Sequence, residues 1–295
     1  MRISYSSSSE FSSCEQKWWY RKVANYPADA DCADKKALGY GKAVHTVMER
    51  TSWIRPISDS AAIALIQAAC EENDVHYQSA YYVAVCACSL WAHHAASGLT
   101  IVGIEEELAT PDFIGFIDAV AKDAAGRYWI IDLKTSSLMQ DLTFARLAYD
   151  TQLNMYANYR GLLEEKYPGI TDNFAGCAYR VVQKPYEKKG KNCQMLKEAL
   201  PAEEAAVTTV FIVASDLDTA GTAMKFEAVA KRMNACTEPT RNRQSCVAWN
   251  TPCDYWSRCH GCRLKSECLE NIVKHEGNSA FHAEDLGIEE NEYDL

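Results

Sequence analysis

The apolar and polar positions of this chain predict a helical first third followed by alternating strands and helices. Across residues 58–97, Ala, Ile and Leu recur at helical spacing with few breakers, which predicts a wholly helical region. Gly98 ends that region, and residues 100–109 predict the first strand of a sheet. Later segments predict two more strands and a helix that packs on the sheet, at 175–183, 206–214 and 216–236. Strands and helices in this order indicate an α/β fold.

The stretch from Gly115 to Thr135 predicts a pair of adjacent strands at the centre of the chain. The first strand carries Asp118, and a turn containing glycine then reverses the chain. The apolar run 128–131 predicts a buried second strand that ends in Asp132 and Lys134. Because successive side chains of a strand alternate between its faces, Asp132 and Lys134 point to the same side.

Two carboxylates and an ammonium in one place suit phosphodiester hydrolysis. Carboxylate oxygens hold hard divalent cations, which lower the pKa of a bound water and stabilise charge on a phosphate. Lys134 would then orient that water or neutralise the developing charge. The simpler interpretation is a hairpin with an ordinary surface Asp–Lys pair. The aspartate on the preceding strand favours the metal-dependent site.

Local signals predict further elements around this hairpin. The serines at 7–9 predict the start of a short helix. A glycine pair at 39–41 predicts the start of a second helix, on which His45 and Glu49 share a face. We also expect a phosphate-contacting loop at 135–137.

A long helix is predicted over 142–166, and a basic loop at 184–191 either grips a DNA strand or is simply solvated. In the first strand, alternation places Glu105 and Glu107 on one face and Glu106 on the other, without showing which face is buried. Three histidines of the helical region have no partners at ligand spacing and are interpreted as structural: His76, His93 and His94.

Length and charge bound the protein further. At 295 residues, 48% of them apolar, the chain is expected to form one large domain over 1–283. The net charge is −10, and the last 12 residues hold six acids, so 284–295 is expected to be an acidic, solvated tail. A DNA-binding surface would therefore be a basic groove on an otherwise acidic protein, and the affinity for DNA would depend strongly on salt concentration. Neither a membrane span nor a secretory signal is apparent, and a cytoplasmic location is expected.

The 13 cysteines are numerous for a cytoplasmic chain, and the last ones are clustered. Four lie within 16 residues, at Cys253, Cys259, Cys262 and Cys268. Such density indicates a metal site rather than isolated buried thiols.

The central hairpin resembles a known family. Gly-x-x-Asp followed by Ile-Ile-Asp-Leu-Lys-Thr is similar to motifs II and III of the PD-(D/E)XK nuclease superfamily, in its RecB-like branch. That branch includes nuclease domains of bacterial recombination helicase-nucleases, CRISPR spacer-acquisition exonucleases and many phage exonucleases. The resemblance implies a restriction-endonuclease-like αβββαβ core at 98–236, with an N-terminal helical insertion at 36–97.

Two further motifs extend the resemblance, Gly-x-x-x-His ending at His45 and Gln-x-x-x-Tyr at Gln152 and Tyr156. From periodicity alone, the histidine would be structural and the Gln–Tyr pair part of a packing stripe. The resemblance instead implies that Lys134 activates water while Gln152 and Tyr156 position the strand. It implies a set of ligands for Mg²⁺ or Mn²⁺: His45, Asp118, Asp132 and the backbone carbonyl of Leu133. Glu49 is a candidate partner behind these ligands.

The cysteines continue the resemblance. Cys259-x2-Cys262-x5-Cys268 resembles the C-terminal signature of iron–sulfur members, where an N-terminal cysteine, here Cys14, completes a [4Fe–4S] site. A cluster-linked segment at 1–35 and a cysteine cap at 246–270 would then join the chain ends. Cys253 leaves a second possibility open, a local zinc site of Cys253, Cys259, Cys262 and Cys268, for which His260 also competes.

The resemblance implies a metal-dependent DNA exonuclease that acts at single- or double-stranded ends, in phage or CRISPR-linked DNA processing or recombination. Its partners would be DNA and either a single-strand annealing protein or CRISPR adaptation proteins, in a bacterial or phage-infected cell. Two alternatives remain: a catalytically inactive DNA-binding accessory protein, and an endonuclease of the same fold. No helicase phosphate-binding loop is present in the sequence, so the chain is not itself a motor.

Overall fold

Five helices precede the sheet in the computed structural model, which describes residues 2–28, 35–136, 147–185, 195–248 and 251–260. Elements are numbered over these residues. The helices are α1 (Tyr5–Ser13), α2 (Glu15–Lys22), α3 (Lys35–Arg50), α4 (Asp59–Glu72) and α5 (Ala80–Ala96). The chain forms two compact units, one of residues 1–9 and 34–236, the other of 10–33 and 237–295. The predicted domain boundaries stay predictions.

Helix boundaries differ from the sequence expectations where side chains cap the backbone. The first helix begins at Tyr5 instead of 7–9, because the Ser4 hydroxyl accepts a hydrogen bond from the Ser7 amide. The 39–41 glycines lie inside α3 and do not start it. The region 58–97 is interrupted between α4 and α5, where Asp74 takes a left-handed backbone with φ of 54°.

The first unit contains a five-stranded mixed sheet in the order β1-β2-β3-β4-β5. Its strands are β1 (Thr100–Ala109), β2 (Ile114–Lys122), β3 (Tyr128–Ser136), β4 (Phe174–Gln183) and β5 (Val207–Val213). Neighbouring strands are antiparallel except β3 and β4, which are parallel. Thr135 and Ser136 therefore belong to β3 and not to a loop; Ser137 and residues 186–191 of the predicted basic loop lie outside the described residues.

Two helices follow within this unit, α6 (Thr151–Tyr159) and α7 (Thr219–Ala235). The first is much shorter than the predicted helix over 142–166. Asp150 sets its start by accepting a hydrogen bond from the Leu153 amide at 3.1 Å, and a 3₁₀ turn at Arg160–Leu163 follows its end. Residues 142–146 lie outside the described part. The order of helices and strands confirms the predicted αβββαβ core, with β5 added at its edge.

Helices cover both faces of the sheet. One apolar core joins α3, α4 and α5 to Ile131 and Leu133 of β3. Asp132, between them, points to the opposite face, where α6 packs. Burial of Val44, Val47 and Met48 fixes α3 on the first face, so the rotation of this helix is set by its own apolar stripe.

The second unit is built from both ends of the chain. Besides α2 it contains a short ribbon of β6 (Val247–Ala248) and β7 (Thr251–Pro252), and α8 (Trp256–His260). The Ser13 carbonyl accepts hydrogen bonds from Asn242 at 2.8 Å and from Ser245 at 3.1 Å. Because α1 ends at Ser13 and α2 begins at Glu15, Cys14 lies between two helices, with an extended backbone at the start of α2.

No helix in the described part of the chain combines the length and the apolar character needed to cross a bilayer.

A buried arginine lies behind the sheet in the first unit. Arg180 of β4 is fully buried, donates to His94 Nδ1 at 3.2 Å and to Thr209 Oγ1 at 3.2 Å, and its guanidinium lies 5.2 Å from the Trp53 ring centroid. His93 Nε2 contacts the same threonine at 2.9 Å. Burial, together with the Arg180 charge, lowers the pKa of His94 to about 4. The imidazole is therefore neutral when the protein is folded.

This arrangement predicts that the fold weakens in mild acid. Unfolded His94 titrates near its ordinary pKa of about 6.5 but folded His94 only near 4, so the unfolded chain binds the proton between these values. As pH rises across that window, this group increases the free energy of unfolding by up to about 3 kcal/mol. Urea denaturation at pH 5 and pH 7.5 should show a smaller pH difference for His94→Gln than for wild type. Exposed His76→Gln is the control; an equal pH difference in His94→Gln and wild type would contradict the prediction.

Candidate active site

The site begins where β2 and β3 separate. Their ladder ends at the pair Ala119–Ile131, and the next residues on the two strands are Asp118 and Asp132. Beyond this point Leu133 has no register partner on β2, and its amide donates to the side chain of Asp118, at 2.6 Å from Oδ2. We call this separation of β2 and β3, at Asp118 and Asp132, the fork. It leaves space between two carboxylates that a continuous strand ladder would close.

Asp132 lies at the bottom of this fork with 1% of its surface exposed. Burial raises the pKa of its carboxyl, and the nearby Lys134 ammonium opposes that shift. Lys134 Nζ lies 2.8 Å from Asp132 Oδ2, an ion-pair distance, but the angles are not those of a hydrogen bond, so this oxygen retains accepting capacity. Burial alone would lower the pKa of Lys134; the Asp132 carboxylate outweighs it, and the net pKa is raised.

A chain of polar contacts fixes the lysine from the other side. Lys134 Nζ donates to Gln152 Oε1 at 3.0 Å, and Gln152 Nε2 donates to the Tyr156 hydroxyl at 2.8 Å. Gln152 and Tyr156 are one turn apart on α6, which explains their common direction. Gly115 makes room for the tyrosine, because a Cβ there would come within 2.8 Å of its ring.

The helix α3 brings His45 to the opposite side of the fork. Its Nδ1 lies 3.5 Å from Asp118 Oδ1. Burial alone would lower the pKa of His45, but the hydrogen bond and charge of Asp118 outweigh it, so the net pKa is raised. An imidazole held in this way contacts the carboxylate when protonated and is available as a ligand when neutral.

A cavity of about 620 Å³ opens above the fork. Glu105 and Glu49 line it together with Asp118 and His45. Burial, with the charges of Asp118 and Glu49 added, raises the pKa of Glu105 to about 7. The backbone of Glu105 is left-handed, with φ of 49°, which interrupts regular alternation in β1. Sequence alone did not distinguish this glutamate from its neighbours.

Glu106 has a different environment. Its buried carboxylate accepts two hydrogen bonds of 2.8 Å from Lys166 Nζ and one from the Tyr167 hydroxyl. These partners lie away from the cavity. Tyr179 is a residue that sequence reasoning missed; it is next to Asp132 in the β3–β4 register, with its ring centroid 5.9 Å from Lys134 Nζ. Only the parallel pairing of the strands reveals that neighbour.

All six residues that the sequence predicts for catalysis therefore meet at this fork: His45, Asp118, Asp132, Lys134, Gln152 and Tyr156. Their chemical roles stay predictions.

Comparison with known proteins identifies the family of this chain. The sequence profile of the PD-(D/E)XK nuclease superfamily matches residues 2–268. The chain belongs to this superfamily. A search of curated proteins found no match.

Two solved structures resemble this nuclease. One, from Eubacterium rectale, carries the provisional name of exonuclease; it is 14% identical, over 81% of this chain and 84% of its own, with a TM-score of 0.49. The other, SSO0001, is 11% identical over 86% of this chain and 96% of its own, with a TM-score of 0.28. At these scores neither structure adds to the assignment.

Nucleases of this superfamily generally use Mg²⁺ or Mn²⁺. The donors at the fork fit such hard cations, since they are carboxylate oxygens and one of them, Asp118, lines the cavity. Among the described residues no three His, Cys, Asp or Glu side chains already form a group that could hold a metal ion. The fork supplies suitable donors, while the ligand set itself stays a prediction.

The predicted cysteine ligands are only partly described. Cys14, Cys253 and Cys259 lie in the second unit, whereas Cys262 and Cys268 lie outside the described residues. Cys246, which sequence reasoning passed over, belongs to the same unit. Burial raises the pKa of Cys259, and the charges of Cys14 and Cys246 add to that shift, so the three thiols are electrostatic neighbours. Their separation in sequence hides this proximity.

The Asp118–His45 contact predicts a specific change in histidine titration. Replacing Asp118 with asparagine keeps an acceptor for the Leu133 amide but removes the charge that holds the imidazolium. In metal-free protein the His45 pKa should therefore fall, as followed by NMR with His45→Gln used for assignment. Asp216→Asn, at an exposed position, is the matched control. An unchanged His45 pKa in Asp118→Asn would show that the contact is absent in solution.

Proposed function

We propose that this nuclease hydrolyses DNA from its ends with Mg²⁺ or Mn²⁺. The observation that carries the proposal is the fork, where Asp118 and Lys134 line a cavity and Lys134 is held between the buried Asp132 and Gln152. His45 and the Leu133 carbonyl complete the proposed ligands. When bound, the metal supplies an activated water and stabilises charge on the phosphate.

The side chains at the fork have distinct proposed roles. Because its pKa is raised, Lys134 stays protonated, so it orients water by donating a hydrogen bond and neutralises charge on the phosphate, instead of removing a proton. Gln152 restrains the ammonium, and its second contact, to Tyr156, restrains Gln152 itself. Gln152 and Tyr156 thereby position the strand through Lys134, which lines the cavity that the strand enters.

The preference for ends and the biological setting rest on the resemblance to the RecB-like branch. We infer a role in phage or CRISPR-linked DNA processing or recombination, in the cytoplasm, with an annealing protein or CRISPR adaptation protein as partner. The competing proposals are an inactive DNA-binding accessory protein and an endonuclease. The assembled fork favours an active enzyme over the first of these.

Digestion of DNA tests this proposal. End-labelled linear single- and double-stranded DNA should disappear with Mg²⁺ or Mn²⁺ while a circular control survives. Asp132→Ala and Lys134→Ala should each reduce the rate at least about 100-fold, since each removes a group that stabilises developing charge. Asp216→Ala and Lys225→Ala, both exposed, should cleave as wild type does.

Each other outcome decides between the alternatives. Cutting of the circle would identify an endonuclease. Binding of DNA without cleavage by metal-loaded wild type would favour the accessory protein. Equal activity of Lys134→Ala and wild type would reject the proposed site.

We further propose a [4Fe–4S] cluster held by Cys14, Cys259, Cys262 and Cys268. Support comes from the second unit, in which Cys14 and Cys259 are electrostatic neighbours although 245 positions separate them. A ligand set drawn from both chain ends would make cluster binding part of the folding free energy. Zinc bound by Cys253 with the last three cysteines is the alternative.

Metal content separates these two sites. Anaerobically purified wild type should contain iron and acid-labile sulfide, and Cys14→Ser should lose both. Cys253→Ser should keep them, as should the control Cys88→Ser in the first unit. Zinc in wild type that survives Cys14→Ser but is lost in Cys253→Ser would overturn the proposal in favour of the local zinc site.

A further inference from the structure

One face of α3 presents a basic side chain, a histidine and an acidic side chain to the cavity. Lys42, His45 and Glu49 follow each other at spacings of three and four residues, so they form a stripe, and all three line the cavity. The rise of the helix separates Lys42 from Glu49 by about 10.5 Å along its axis. The cavity therefore extends along α3 from Lys42 to Glu49.

A second cation stands at the lysine end of this stripe. Lys184 follows β4, and its amide donates to the Ser136 carbonyl at 2.7 Å, which fixes it beside the end of β3. Its Nζ lies 5.6 Å from the ring centroid of Tyr40, on α3. Lys42 is exposed and, within the described residues, makes no ion pair with a carboxylate.

Close approach of the backbone brings these parts together. A Cβ on Gly41 would lie 2.9 Å from Thr135 Oγ1, so only glycine lets α3 come this near to β3. The threonine hydroxyl thus lies in the same cavity as both lysines. A hydroxyl and two ammonium groups that line one cavity are a donor set suited to a phosphate oxygen.

The two ends of the cavity differ in chemistry. The carboxylates of Glu49, Glu105 and Asp118 line the fork end beside Lys134, and their combined negative charge repels a phosphate until a metal cation binds. The lysine end has cationic donors of its own and binds phosphate directly. We propose that Lys42, Lys184 and Thr135 form a subsite for a DNA phosphate next to the one that is cleaved, so that the strand is held in register over the fork.

This inference rests on the proposed DNA cleavage and adds positioning residues to it. The ligand is a phosphate of the strand, either an internal phosphodiester or a terminal phosphomonoester. A subsite of this kind contributes to substrate binding more than to the chemical step, because it does not touch the reacting atoms.

Binding measurements test the subsite without requiring cleavage. Affinities for a fluorescent oligonucleotide are measured in Ca²⁺ across a salt series for wild type, Lys42→Ala, Lys184→Ala and the double variant. Each single change should lower the slope of log affinity against log salt by about one, since one phosphate contact is lost. Lys42→Arg should restore binding, and exposed Lys225→Ala, on α7, should match wild type. Unchanged slopes in both single variants would overturn the subsite.

A neutral methylphosphonate moved along the oligonucleotide then locates the contact. At one linkage it should weaken wild type but leave the double variant unaffected, the coupling expected of groups in contact. Affinities for oligonucleotides that end in a phosphate or in a hydroxyl are then compared. The comparison shows whether the subsite contacts an internal or a terminal phosphate. Equal losses in wild type and the double variant at every linkage and at both end types would reject the assignment.

Kinetics separate this inference from the proposed function. Where wild type cleaves, the lysine variants should raise KM while kcat stays within about threefold. Cleavage with KM and salt slope unchanged in the variants would reject the subsite alone. Binding coupled to the lysines without cleavage by wild type would reject the proposed hydrolysis and retain the subsite.

Discussion

The hydrogen bond from the Leu133 amide to Asp118 is the contact on which the site depends. It takes the place of the strand pairing that β2 and β3 give up after Ala119 and Ile131. A buried amide without a partner is costly, so the carboxylate satisfies the backbone and is itself oriented. The strands can then part and leave a cavity at the end of the hairpin without an unsatisfied backbone donor at Leu133.

The separated strands place like charges close together, and the surrounding side chains offset this. Asp132 and Glu105 both have raised pKa values, which reflect burial and the proximity of Asp118. Lys134 and His45 compensate from opposite sides of the fork. Such a balance is less stable than an apolar interior but suits a cation, because a divalent ion would remove the repulsion that raises these pKa values.

The apolar core between the sheet and the helices α3, α4 and α5 holds these charged side chains in place. Val44, Val47 and Met48 pack against the core and fix the rotation of α3. His45, Lys42 and Glu49 lie on another face of the helix and line the cavity. The same helix carries Lys42 at one end of its exposed stripe and Glu49 at the other. The rotation of one packed helix thus sets the charge pattern on the side of the cavity that α3 forms.

The sequence by itself predicted the hairpin with Asp118, Asp132 and Lys134, because strand alternation is a local property of the chain. The αβββαβ order and the inclusion of His45, Gln152 and Tyr156 came from the resemblance of its motifs to the superfamily. The sequence did not fix the start of α6, which the Asp150 side chain sets by capping the first turn of the helix. It placed Glu105 and Glu106 on opposite faces of β1 but did not show which of them faces the site, since the local backbone conformation and the contacts with Lys166 and Tyr167 decide this. The tertiary structure alone decided the neighbours of Arg180, the approach of Lys184 to α3 and the proximity of Cys246 to Cys14. Each of these joins segments that are distant in the chain, and no periodicity within a segment records which distant segment it will meet.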